Sequence, residues 1–225
     1  MDIRKVALVI FDIGGYTEFI KFNKASLAHA HEVIAQLLEN LADGATHPLV
    51  LNKFEGDAAF LYAPIGGDEA AAARDICRQV FSLFPGFHAK AQELSRNRAA
   101  CQNVGNLSLK AIIHIGEAAF RRIRQFEEIA GEDVIVVHRL LKNNVAAHEY
   151  VLMTEAVFRQ LDPVEQDRGT DHVEQYDHLG AIKVKVFAAA AVPAPAAVRA
   201  SGLHRLAAQL GFGNSTRSRR AGTPL

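Results

Sequence analysis

Hydrophobic positions along the chain form short apolar runs that alternate with helical repeats. The first run, residues 6–10, has the length and composition of a buried strand. Apolar residues then recur every three or four positions over 27–41, which predicts an amphipathic helix that ends near residues 43–44. Two further apolar segments, 49–54 and 57–63, flank Glu55-Gly56 and predict a β-hairpin.

The remaining pattern predicts further helices and strands in alternation. Residues 69–84 predict a helix that begins after Asp68 and stops at Pro85-Gly86, with more helix to 96. A strand over 107–115 turns at Gly116 into a second strand over 118–126. We then expect a helix from Gly131 to about 144, a strand at 150–153, a short helix to 161 and strands at 172–176 and 182–188.

This order predicts an α+β domain with a mostly antiparallel sheet and helices packed on one side of it. We expect residues 1–191 to form that single domain. A Pro/Ala linker and an Arg-rich, flexible tail would occupy residues 192–225.

Composition narrows the class of protein. The 225 residues are 49% hydrophobic and carry 25 basic and 25 acidic side chains. Five arginines and no acid follow Pro193, so the preceding part is mildly acidic, and we expect no nucleic-acid partner. Two cysteines, Cys77 and Cys101, give no disulfide framework and predict a reducing, cytoplasmic location. No apolar run approaches the ~18 residues of a membrane span.

Candidate chemistry lies at the end of the first strand. Asp12 follows the apolar run, and the glycines at 14 and 15 permit a tight turn and close approach to a ligand. Thr17 or a neighbour can cap the helix that follows. A carboxylate beside a helix N-terminus suits a metal–polyphosphate ligand. The alternative is an aspartate that merely caps the next helix.

A second carboxylate, Asp57, follows Gly56 in the predicted hairpin turn. If this hairpin neighbours the first strand, Asp12 and Asp57 emerge at the same edge of the sheet. Two adjacent carboxylates repel each other unless a cation lies between them, and Mg²⁺ takes one or two carboxylates with phosphates and waters. The backbone carbonyl of Ile13 is a plausible further ligand. The alternative is an ordinary turn aspartate.

Four blocks of sequence carry a family resemblance. They are Phe11-Asp-Ile-Gly-Gly-Tyr-Thr17, Lys53-x-x-Gly-Asp57, Ile112-Ile-His-Ile-Gly-Glu117 and Gly131-x-x-Val134-x-x-x-x-Arg139. In order and approximate spacing they resemble the class III adenylyl/guanylyl cyclase catalytic domain over about residues 6–190. The resemblance implies a ferredoxin-like core, a head-to-tail homodimer and active sites in the groove between the subunits.

The resemblance also implies roles for individual residues. Two Mg²⁺ or Mn²⁺ ions would bind Asp12, Asp57 and the Ile13 carbonyl, where paired metals stabilise charge on the phosphates. The turn would hold the β- and γ-phosphates through its backbone N–H groups, at Gly14, Gly15, Tyr16 and Thr17. Lys53 from the partner subunit, with Glu128, would read the base. Arg139 would stabilise charge in the transition state.

The sequence departs from the family pattern at three places. Ile135 stands where the family usually has an asparagine that positions the ribose. Glu128 replaces a shorter aspartate or threonine, and no counterpart to a triphosphate-binding lysine is evident near residues 177–180. With the helix extending to about 144, Asn143 would share a face with Ile135 and Arg139 and stand in for the missing asparagine.

The resemblance therefore predicts a divergent nucleotidyl cyclase that converts a nucleoside triphosphate to a 3′,5′-cyclic nucleotide and pyrophosphate. Ile135 favours the alternative, a degenerate cyclase homology domain that binds a nucleotide or a partner protein without turnover. A third hypothesis is triphosphate hydrolysis by the same fold. The sequence leaves the base open, and weak anionic contacts are the expectation for the Arg-rich tail.

Overall fold

The computed structural model describes residues 2–97 and 103–189, and the linker and tail expected over 192–225 lie outside those ranges. The helices are α1 (Tyr16–Phe22), α2 (Leu27–Gly44), α3 (Glu69–Asn97), α4 (Glu132–Leu140), α5 (Glu155–Phe158) and α6 (Pro163–Gln166). The strands are β1 (Asp2–Gly14), β2 (Val50–Glu55), β3 (Ala58–Pro64), β4 (Ser108–Ile123), β5 (Phe126–Ala130), β6 (Tyr150–Thr154), β7 (Thr170–Tyr176) and β8 (Gly180–Ala188).

The eight strands of the described residues belong to one sheet, with the order β2-β3-β1-β4-β6-β8-β7 and β5 paired to β4. Only the β4–β6 pair is parallel within the described part of the chain. The predicted α+β class and the mostly antiparallel sheet are confirmed. The central strand β1 pairs with β3 on one side and with β4 on the other, so its end reaches the hairpin turn that carries Asp57.

Side-chain alternation along β1 divides the core into two layers. Ala7, Val9 and Phe11 pack with residues of α2 and α3, whereas Leu8 and Ile10 pack with residues of α4. The prediction of helices on one side of the sheet is therefore wrong. The short helix α4 buries Val137 and Leu140, but its polar residues made that face less evident in the sequence.

The structure corrects three predicted boundaries. Helix α3 continues through Pro85 because the helix buries Phe84 and Phe87 on either side of it, and this packing outweighs the local cost of proline. Strand β4 passes through Gly116 without turning, because Gly116 pairs with Val6 of β1. A Cβ at Gly116 would overlap the side chain of Asp133, so this glycine serves close packing rather than a turn.

The third boundary is the end of α4. The helix stops at Leu140 rather than near residue 144, and Asn143 lies in the loop beyond it. The expected common helical face of Ile135, Arg139 and Asn143 therefore does not form. Among the described residues, none of the helices is long and apolar enough to cross a membrane.

The core position of Phe11 predicts a large effect of truncation. Phe11 is fully buried, so Phe11→Ala should lower the free energy of unfolding by about 3–5 kcal/mol in urea titrations followed by circular dichroism. Phe22 is 59% exposed and provides the control, with an expected loss below about 1 kcal/mol for Phe22→Ala. Equal losses would contradict the assignment of Phe11 to the core.

Candidate functional site

The end of β1 brings two carboxylates and one ammonium group together. Asp12 lies opposite Ala58 of β3 and Lys110 of β4. The Nζ atom of Lys110 is 3.9 Å from the Oδ2 atom of Asp12. Asp57 follows in the β2–β3 turn, where its carbonyl accepts a hydrogen bond of 3.1 Å from the N–H of Ile13. The hairpin is thus fastened to the end of β1 next to Asp12.

Burial raises the pKa of both carboxyl groups. Burial is the largest cause for Asp12, the charge of Asp57 adds to it, Lys110 opposes it, and the pKa rises to about 6. Burial also raises the pKa of Asp57, against the opposing effects of its own backbone hydrogen bond and Lys110. The carboxylate pair is therefore held together at an electrostatic cost that a cation would remove.

The oxygen donors of this pair fit a hard divalent cation. Mg²⁺ and Mn²⁺ prefer carboxylate oxygens and usually complete their coordination with phosphates and waters. In the described ranges, no group of three or more His, Cys, Asp or Glu side chains is placed to hold a metal ion. A cation here would thus depend on Asp12, Asp57 and further oxygen ligands, such as the predicted Ile13 carbonyl and substrate phosphates.

The glycine turn after Asp12 is as tight as the sequence predicts. Gly15 adopts a φ of 83°, and a Cβ at Gly14 would overlap the side chain of Ser108 on β4. Helix α1 begins at Tyr16 with Gly15 as its N-cap, so Thr17 lies inside the first turn rather than at the cap. The turn follows Asp12 and packs closely against β4. A phosphate-binding role of residues 14–17 stays a prediction.

The second predicted cluster assembles around Lys53 on β2. Its Nζ atom is 3.4 Å from Glu128 Oε2 on β5 and 3.7 Å from Glu55 Oε1. The β4–β5 hairpin brings Glu128 there, and the amide of Asn52 donates a hydrogen bond of 3.0 Å to the carbonyl of Glu127. The structure thus brings Lys53 and Glu128 together, while Glu55 is an additional acidic neighbour.

Arg139 and Ile135 lie on α4 beside a third surface. Both line a groove of about 470 Å³, together with Val134, His138, Leu141 and Lys142. The side chain of Arg139 is exposed, and that of Ile135 is 52% exposed. The charge of Arg139 lowers the pKa of Tyr176. Burial, Glu174 and Tyr150 outweigh this effect and raise the pKa to about 12. The groove therefore offers a guanidinium beside an apolar wall.

Asn143 has local hydrogen-bond partners in the loop after α4. Its amide nitrogen donates to the carbonyl of Leu140 over 2.7 Å. Its amide oxygen accepts from the hydroxyl of Tyr150 over 2.8 Å and from the N–H of Val145 over 3.0 Å. This arrangement stabilises the loop. A ribose contact by Asn143 stays a prediction and would require these bonds to be exchanged.

Three neighbours of the predicted site residues were missed in the sequence. Lys110 carried a usable signal, since it is a charged residue within the mostly apolar strand pattern of 107–115. Glu55 also carried one, since it lies two positions after Lys53 on the same strand and thus on the same face. The pairing of His138 with Glu55 carried none, because it joins α4 to β2 across 83 positions of the chain. Only the fold places His138 beside Glu55.

The fold is that of class III nucleotide cyclases. The structure is similar to that of the adenylyl cyclase CyaB from P. aeruginosa, with 14% sequence identity and a TM-score of 0.62. The similarity covers 82% of this chain and 94% of CyaB. A class III adenylyl cyclase-like ATP-binding protein from Pseudomonas aeruginosa aligns with 74% of this chain and 36% of that chain, with 15% identity and a TM-score of 0.64. The guanylyl cyclase Cya2 aligns at 13% identity and a TM-score of 0.56, over 82% of this chain and 92% of the other.

Sequence comparison defines the family. The family described as "Protein of unknown function (DUF2652)" matches residues 34–150, and this chain belongs to it. The "Uncharacterized protein Rv2561/Rv2562" of Mycobacterium tuberculosis (strain ATCC 25618 / H37Rv) is 34% identical over 151 residues. That alignment covers 65% of this chain and 69% of the relative.

The raised pKa of Asp12 predicts a pH-dependent stability of the metal-free protein. The folded-state pKa of about 6 lies above the ordinary 3.8, so stability present below pH ~4 is lost as the pH rises through about 6. Asp12→Asn removes the ionisable carboxyl group and with it this loss of stability at higher pH. It should raise the free energy of unfolding near pH ~7.5 by on the order of 2–3 kcal/mol and change it little near pH ~4.

The measurement is chemical denaturation at both pH values in the presence of a chelator. Asp43→Asn is the matched control because Asp43 is an exposed aspartate on α2, and its effect should be small at both pH values. A stabilisation by Asp12→Asn that is the same at both pH values would contradict the raised pKa.

Proposed function

We propose that the protein is a nucleotidyl cyclase that acts as a homodimer and uses two Mg²⁺ or Mn²⁺ ions. In this reaction the 3′-hydroxyl of a nucleoside triphosphate loses its proton, its oxygen bonds to the α-phosphorus, and pyrophosphate leaves. The observation that carries the proposal is the pair Asp12 and Asp57, held side by side with raised pKa values at the end of the central strand. The similarity to cyclase folds supports it.

Each polar cluster has a part in the proposed reaction. Bound cations would supply charge stabilisation at the α-phosphate and the leaving pyrophosphate. Asp12, Asp57 and the Ile13 carbonyl would hold these cations. The backbone N–H groups of the turn at residues 14–17 would donate hydrogen bonds to the phosphates. Lys110 would add a positive charge beside the same phosphates, since its ammonium already neighbours Asp12.

The other half of the site would come from the partner subunit. Lys53 and Glu128 present a donor and an acceptor side by side, which is the pattern a purine edge requires. Arg139 would contact the phosphates with its guanidinium, whose donors form a rigid fork. In a head-to-tail dimer this set would face the carboxylate pair of the other copy.

A second candidate function is nucleotide binding without turnover. Ile135 cannot donate a hydrogen bond to a ribose, and one structural neighbour is described as an adenylyl cyclase-like ATP-binding protein. Binding and turnover use the same triphosphate and cation, so a single experiment distinguishes them.

The test is a turnover assay. Purified protein at tens of micromolar, with its dimerisation measured in parallel, is incubated with Mn²⁺ and ATP, GTP, CTP or UTP. Mass spectrometry then detects cyclic nucleotide and pyrophosphate. We expect a cyclic product from at least one triphosphate, its loss by about 100-fold or more in Asp57→Ala, and near-normal activity in the control Asp43→Ala.

The products identify the function in each case. Pyrophosphate or phosphate without a cyclic nucleotide would indicate hydrolysis. Saturable triphosphate binding without any product would support the binding function, and the absence of both binding and product would overturn both proposals.

Substitution of Ile135 by asparagine tests whether a ribose contact at this position limits the reaction. Because Ile135 is half exposed on α4, Ile135→Asn should fold normally and raise kcat by about tenfold through one added hydrogen bond. Glu132→Asn is the control, since residue 132 lies on the same helix but lines a different cavity. An unchanged kcat in a folded Ile135→Asn protein would show that this position does not limit the reaction.

A further inference from the structure

The side chain of His138 joins three elements of the fold. Its Nδ1 atom is 2.7 Å from the carbonyl oxygen of Val134 on its own helix, α4. Its Nε2 atom is 3.0 Å from Glu55 Oε2 on β2. The ring also meets Phe60 of β3 edge-on, with 5.0 Å between the ring centroids. His138 is therefore fixed by a hydrogen bond on one side, an acid on the other and an aromatic ring.

The hydrogen-bonding groups at His138 determine which oxygen of Glu55 the imidazole contacts. The Val134 carbonyl can only accept, so Nδ1 of His138 donates to it. The contact between Nε2 and Glu55 Oε2 then requires one proton between the two atoms. The imidazole thus engages one oxygen of Glu55 and leaves the other, Oε1, on the side of Lys53.

Lys53 lies between two competing acids. Its Nζ atom is 3.4 Å from Glu128 Oε2 and 3.7 Å from Glu55 Oε1, and all three side chains are partly exposed. An ammonium between two carboxylates moves toward the one with the less compensated charge. Because His138 engages Glu55, the position of Lys53 toward Glu128 depends on the imidazole.

We propose that His138 is a positioning residue for base recognition: by holding Glu55, it keeps the Lys53 ammonium paired with Glu128. The proposal rests on the proposed function, in which Lys53 and Glu128 read the base. Loss of the imidazole hydrogen bond leaves Glu55 free to draw Lys53 away from Glu128. The hydrogen bond from Nδ1 to Val134 also ties this array to α4, the helix that carries Arg139 one position further on.

The proposal makes a prediction that a merely structural role does not. Inorganic tripolyphosphate can contact the carboxylate–cation half of the site but has no base to contact Lys53. We expect His138→Phe, which keeps an aromatic ring against Phe60, to weaken ATP or GTP binding about tenfold and tripolyphosphate binding by less than about twofold. Both are measured by isothermal titration calorimetry with Ca²⁺ present.

Two further variants test the mechanism. His138→Gln keeps an N–H donor for Glu55 and should restore nucleotide affinity to within about threefold of the unmodified protein. In the His138→Phe background, Glu55→Gln removes the competing charge and should recover most of the lost affinity. His88→Phe is the matched control, because His88 forms a comparable pair with Glu149 at 3.1 Å, outside the predicted site.

The outcomes separate this inference from the proposed function. Nucleotide binding that is unchanged in folded His138→Phe and His138→Gln would overturn the role of His138 and leave the cyclase proposal intact. Equal weakening of nucleotide and tripolyphosphate, or no rescue by Glu55→Gln, would assign His138 to the fold alone. If the unmodified protein binds none of ATP, GTP and tripolyphosphate, the proposed function fails and this inference fails with it.

Discussion

Two carboxylates at the end of the central strand impose the main constraint on this structure. The backbone hydrogen bond between Ile13 and Asp57 fastens the β2–β3 turn to β1 and forces Asp57 toward Asp12. Burial raises the pKa of both carboxyl groups, and the charge of Asp57 raises that of Asp12 further. A fold that only needed stability would gain from replacing one of these acids, so the pair supports the proposed function, which uses negative charge at this point.

The surrounding elements are arranged around that pair. Strand β4 supplies the Lys110 ammonium, and the absence of a side chain at Gly14 lets the end of β1 approach Ser108 of β4. On the other side of the hairpin, β2 carries Lys53 toward β5, while α4 carries His138 toward Glu55. One hairpin therefore joins the metal-binding candidate to the base-reading candidate, which would serve opposite sites of a head-to-tail dimer.

Much of this arrangement could be predicted from the sequence, because local signals determine it. The apolar run of β1, the glycines after Asp12 and the Glu55-Gly56 turn act over a few residues, and their predicted structures formed. Pro85 and Gly116 misled the prediction, since tertiary packing of α3 and the long pairing of β1 with β4 outweighed local preference. The His138–Glu55 pair had no local signal at all, because it exists only once α4 lies over β2.

Ile135 has an electrostatic consequence beyond the loss of a polar contact. Its hydrocarbon side chain forms part of the wall of the groove that also contains Arg139. If the groove holds phosphates as proposed, these apolar atoms would exclude water from one flank of the otherwise exposed guanidinium and strengthen its attraction to the anion. Under the proposed function, isoleucine at this position would exchange a directional interaction with the ribose for a stronger electrostatic attraction to the phosphates.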